Sequence, residues 1–193
     1  MKTGAHPDLG AYTARERTLT MKSANRWALI LAGPPALLSL VVFRLMHALP
    51  ERHFFLWLAL SCTVFYAAGA LVHELTHYLV WLPACRGGRA SLRIGFDRKS
   101  LNPYCHCAEA LTLARYRLGL LAPLVVTGLI PWTVSLATGC FPLAMTSALL
   151  IAGAGGDLAV LALLRHETGA SYVLDHDTRV GCTVFEAPDM PDL

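Results

Sequence analysis

The chain has 193 residues, 55% of them hydrophobic and 15% charged, with mean hydropathy +0.49, where soluble domains run about 25% charged. A net charge of +3, dispersed along the chain, excludes a nucleic-acid surface, and six cysteines are far fewer than a disulfide-stapled secreted domain carries. Because the apolar residues come in long blocks, an ordinary soluble globule is excluded too, and a small multi-pass membrane protein is expected.

Residues 1–26 read as a polar, mobile cytoplasmic tail. Met21, Lys22 and Arg26 resemble the start of a signal peptide, but no small-residue cleavage site follows, so the first helix is expected to be retained. A start at Met21 is also compatible with the sequence. A bilayer core of about 30 Å needs about 20 apolar residues in helix, and four blocks meet that length. The first, 27–49, is free of charge up to Arg44, and Pro34 and Pro35 predict a bend in it. The second, 54–82, is longer than a bilayer requires and must tilt or protrude. The third, 118–137, carries Pro123 and Pro131, and the fourth, 143–164, is interrupted only by Gly153, Gly155, Gly156 and Asp157. Trp27, Trp57 and Trp81 fall near block ends, as an aromatic belt requires.

Lysine and arginine set the orientation, because cytoplasmic segments hold the excess. Five precede the first block, seven lie between the second and third, and two follow the fourth, which leaves Arg44 and Arg52 for the other side. The expected fold is therefore all-α: four transmembrane helices, N-in and C-in, forming one domain over 27–165 in the plasma membrane. A small cytoplasmic β addition is expected beside them. Leu92, Ile94 and Phe96 alternate with Arg93 and Gly95 as in a short strand. In the C-terminal tail (166–193), Tyr172 to Leu174 and Cys182 to Phe185 flank a turn at Asp175-His176-Asp177, which reads as a hairpin.

The second block contains His73-Glu74-Leu75-Thr76-His77. Helical residues i and i+4 share a face, so both imidazoles can reach one Zn²⁺ while Glu74 addresses a water on it, the H-E-x-x-H zincin arrangement. A helix end whose His and Glu snorkel to the interface is the plain alternative. His77 and His73 lie about 7 and 13 Å inside the block end, too deep for that. Catalytic zinc normally takes a third protein ligand. Asp157 lies about 12 Å from the cytoplasmic end of the fourth block, at the depth of the histidines. Its alternatives are an interhelical hydrogen bond or a simple helix break. Cys85, Cys105, His106 and Cys107 form a second candidate cluster, but without paired C-x-x-C spacing they read as an ordinary loop.

The combination resembles the putative zincin peptidase family of small integral-membrane proteins, similar in character to site-2-protease-type intramembrane metalloproteases. The residues that carry the resemblance are His73-Glu74-Leu75-Thr76-His77, Asn102-Pro103-Tyr104-Cys105, Ala122-Pro123, Gly156-Asp157, and Asp175 with Gly181. It implies His73 and His77 as zinc ligands, Glu74 as catalytic base and Asp157 as third ligand. In place of the longer Asn/Pro/Asp-Gly-like signature of site-2 proteases, only Gly155-Gly156-Asp157 is present. The expected activity is zinc-dependent hydrolysis of peptide bonds in or near membrane segments at the cytoplasmic side, acting on a membrane protein or peptide. The strand at Leu92 to Phe96 is expected to hold the substrate by edge addition, so that proline at Ile94 would cut turnover without zinc loss. A zinc transporter and a catalytically inactive binder of membrane segments are the competing readings. Transport needs polar stations across the whole bilayer, whereas the outer halves of all four blocks are apolar.

Overall fold

The computed structural model describes residues 9–98, 102–167 and 171–187. The far ends of both tails, 1–8 and 188–193, and Lys99 of the second loop lie outside the described residues. Four helical stretches are long and apolar enough to cross a membrane: Met21–Met46, Phe54–Ala84, Leu113–Thr138 and Phe141–Leu163, with mean hydropathies of 2.0, 1.9, 1.8 and 1.7. These features are consistent with a multi-pass membrane protein.

Strand β1 (Thr13–Leu19) leads directly into helix α1 (Met21–Met46). Thr20 caps α1 by accepting the Ser23 N–H at 3.2 Å, so the helix starts six residues before the apolar block and continues through Pro34 and Pro35. The second stretch is built from α2 (Phe54–Leu60), a π-helical turn over Ser61–Phe65, and α3 (Tyr66–Trp81). Beyond it, β2 (Leu92–Asp97) and β3 (Asn102–Cys107) pair antiparallel. The two-residue β4 (Leu111–Thr112) precedes α4 (Leu113–Pro123), a second π-helical turn over Leu124–Leu129, and α5 (Ile130–Thr138). The fourth stretch is α6 (Phe141–Gly153) and α7 (Gly155–Leu163), separated at Ala154. Finally β5 (Tyr172–Asp175) and β6 (Val180–Glu186) form the hairpin expected in the tail.

Two corrections to the all-α expectation follow. A four-stranded antiparallel sheet of order β1-β6-β5-β4 and the β2-β3 pair make a distinct β layer at one end of the helices. Its outer strand comes from the segment read as a mobile tail. β1 pairs over its whole length with β6, from Thr13 opposite Glu186 to Leu19 opposite Val180. Thr-Ala-Arg-Glu-Arg-Thr-Leu carries too little apolar signal to read as a strand, and its order comes from a partner more than 160 residues away.

The helices expose large apolar side chains outward, Leu29, Leu45 and Phe55 among them, and bury small ones between them: Ala32, Ala36, Ala144, Ala148 and Ala154. With lipid as solvent, helix association depends on close backbone approach, which small residues allow. A different core joins the helices to the β layer. Trp81, Leu92, Cys107, Leu111, Tyr116, Leu164, Val173, Cys182 and Val184 form one buried cluster, so the sheets are anchored to the ends of α3, α4 and α7.

Candidate metal centre

One face of α3 presents Tyr66, Ala70, His73 and His77 to a cleft of about 1100 Å³, and one face of α6 and α7 presents Gly153, Gly156, Asp157 and Val160 to the same cleft. Spacings of three and four residues put each set on one helical stripe. Across the cleft the Asp157 carboxylate meets both imidazoles, with His73 Nε2 3.0 Å from Oδ2 and His77 Nε2 3.4 Å from Oδ1. Ligands about 2.0–2.1 Å from a tetrahedral zinc are about 3.3–3.4 Å apart, so the His77–Asp157 spacing is that of a tetrahedron edge, and the hydrogen-bonded His73–Asp157 pair is a few tenths of an ångström closer. Two nitrogens and a carboxylate are donors that zinc accepts, and the three residues fit the ion. They are the one His/Cys/Asp/Glu group of this kind among the described residues. Glu74 lines the same cleft, and Cys105 of β3 lies on the same wall beside it.

The His77 ring is oriented from behind. Its Nδ1 lies 3.0 Å from the Gly119 carbonyl oxygen, so Nδ1–H donates there and Nε2 is left to face Asp157. That carbonyl is available because of Pro123. In a continuous α-helix the N–H of residue 123 would bond to the carbonyl of residue 119, and proline has none. Trp81 stacks on His77 with ring centres 5.1 Å apart and on Tyr116 at 5.5 Å. The indole lies directly over Gly119, where an added Cβ would come within 1.8 Å of Trp81 Nε1. Below this column the Tyr116 hydroxyl donates to Asp175 Oδ1 at 2.5 Å, and the Cys107 N–H donates to Oδ2 at 2.8 Å. Burial pushes the Asp175 carboxyl up from its ordinary range, against the opposing effect of these two donors.

The structure thus brings together His73, Glu74, His77 and Asp157, the four residues singled out in the sequence. Gly119, Pro123, Trp81 and Tyr116, which support them, were missed as a group. The Gly119/Pro123 offset of four was a readable signal. The second cluster does not converge. Cys85 and Cys107 meet in the core, 3.6 Å apart at sulfur, whereas Cys105 and His106 alternate along β3, which is a strand rather than the expected loop. Burial pushes Cys105 up to about 12, and it raises Cys85 and Cys107 as well, so these thiols stay protonated. The strand at Leu92 to Phe96 exists as β2, but β3 is the strand whose edge adjoins Glu74, because β2 pairs on its far side.

Four membrane-length helices with a His/His/Asp group converging in a cleft define a membrane-protein architecture with a candidate metal centre. The chain belongs to the family described as putative zincin peptidase: the family's sequence pattern matches residues 66–172, more than half of the chain, a stretch that includes all four candidate residues. Membership points to metallopeptidase activity and to zinc. No curated protein and no solved structure matches the chain.

Proposed function

We propose that the protein is a zinc-dependent intramembrane metallopeptidase that hydrolyses peptide bonds in or near membrane segments at the cytoplasmic side of the cell membrane. The observation that carries this reading is the convergence of both imidazoles on one carboxylate at 3.0 and 3.4 Å, with Glu74 in the same cleft. His73, His77 and Asp157 would hold the ion. Zinc supplies Lewis acidity that lowers the pKa of a water and polarises the scissile carbonyl.

Glu74 accepts the proton of the attacking water and delivers it to the leaving amide nitrogen. Its carboxylate already lies in the cleft with both imidazoles before substrate arrives. The Gly119 carbonyl keeps His77 in the tautomer whose Nε2 faces Asp157 and would hold the ion. Sidedness is supported by the charge distribution, since fourteen of the sixteen Lys and Arg fall on one side of the four blocks. The pairing of β1 with β6 supports an even number of crossings, because two strands cannot pair across a bilayer.

The test compares the purified wild type with Glu74→Gln in zinc content and in cleavage of a membrane-peptide library. About one zinc in both, with cleavage reduced by about 10²-fold or more in the variant, is expected. Zinc flux in proteoliposomes that survives Glu74→Gln, without cleavage by the wild type, would replace this reading by a transporter.

A further inference from the structure

α7 opens on Gly155-Gly156-Asp157, and its two glycines differ in what surrounds them. A Cβ on Gly155 would lie 2.7–2.8 Å from the Cβ, Cα and carbonyl oxygen of Ala28, so the packing of α1 against α7 admits no side chain there. A Cβ on Gly156 would meet no described atom within 4 Å beyond its chain neighbours and the backbone of its own helix. Nor is Gly156 among the described residues with positive φ, so the backbone does not require glycine. Alanine is the better helix former. Among the described residues no contact or backbone angle therefore accounts for a glycine at 156, and its surroundings direct attention to what enters from outside.

Gly156 lines the cleft one residue before Asp157, and its Cα is about 3.8 Å from that of the candidate ligand. Ala24 and Ala28 of α1 and Ala70 of α3 line the same cleft, with Asn25, Tyr66 and Leu150 as its larger side chains toward the helices. We propose that the space over Gly156 is a substrate subsite, one that takes a bulky apolar side chain flanking the scissile bond of an extended peptide. The inference rests on the metallopeptidase reading and deepens it by naming a substrate class, segments with a large apolar residue beside the cut. A side chain at 156 would occupy the place of the substrate's own.

The test uses fluorescent peptides carrying Gly, Ala, Leu or Phe on either side of the bond cleaved by the wild type. Their binding to zinc-loaded Glu74→Gln protein is followed by anisotropy, with Gly156, Gly156→Ala or Gly156→Leu in that background, and zinc content is measured in each. We expect Gly156→Leu to lose tenfold or more in affinity for the Leu and Phe peptides at one position, while Gly and Ala peptides change less than twofold and zinc stays at one per chain. Gly156→Ala, the milder change, should shift the same preference in the same direction. An unchanged size preference, or an equal loss for every peptide, overturns the subsite and leaves the metallopeptidase reading intact. No zinc and no peptide binding in the Glu74→Gln parent would overturn both.

Discussion

His77 has two ring nitrogens with separate tasks, and a backbone feature assigns them. The Gly119 carbonyl holds Nδ1–H, and Trp81 can lie against His77 only because residue 119 has no Cβ. Gly119→Ala must displace the indole and should lower zinc affinity by about 10- to 100-fold, the range for groups that orient a metal-bound histidine. Competition with a fluorescent chelator measures it, and unchanged affinity would remove Gly119 and Trp81 from the site. Asp157→Ala should lower zinc affinity further, since it removes a donor outright; full zinc retention with wild-type cleavage would show that Asp157 is no ligand. The four site residues were legible because ionisable groups deep in apolar blocks are costly and few, so depth alone aligned Asp157 with His73 and His77. Of their supports, the Gly119/Pro123 offset shows in the sequence that a carbonyl is freed, but not which side chain it serves, because that depends on the helix packed beside it.

Strands were the least legible elements. The β5–β6 hairpin and β2 announce themselves by alternation about a turn, whereas β1 is polar and gains its order from partners distant in sequence, β6 foremost. Arg17 of β1 places its guanidinium on Glu167, with Nη2 to Oε1 2.6 Å and Nε to Oε1 2.7 Å, and Glu167 is only 5% exposed. A chain begun at Met21 would bare the β6 edge and leave that carboxylate alone, a loss of about 3 kcal/mol for a buried partner. Its melting temperature in detergent should fall by several degrees, and an unchanged value would make β1 dispensable. The register also revises the expectation for Ile94. Cys107 N–H points away from β2 to Asp175, and by alternation Ile94 N–H points outward from the far edge of β2. Ile94→Pro should therefore change turnover less than twofold; a tenfold loss with zinc retained would return substrate docking to β2. The π-helical turns at Ser61–Phe65 and Leu124–Leu129 left no mark in the hydropathy from which the blocks were read.

The whole molecule offers its own probe of sidedness. Cys140, exposed at the turn between α5 and α6, lies at the end of the helices away from the sheets in the proposed orientation, whereas Cys62 is exposed within the second membrane-length stretch. Cys85, Cys107 and Cys182 are buried, and burial pushes Cys182 up to about 12. A membrane-impermeant maleimide should label intact cells at Cys140; labelling that requires inverted vesicles would reverse the orientation. The pairing of the first strand with the last has a consequence for biogenesis. During synthesis β1 emerges first and must wait, unpaired, until all four helices have been inserted and β6 has left the ribosome. Closure of the sheet thus waits for the segment that follows the fourth membrane-length stretch, and any product that stops short of Val180 displays a bare strand edge, the kind of surface by which unfinished proteins are recognised or aggregate.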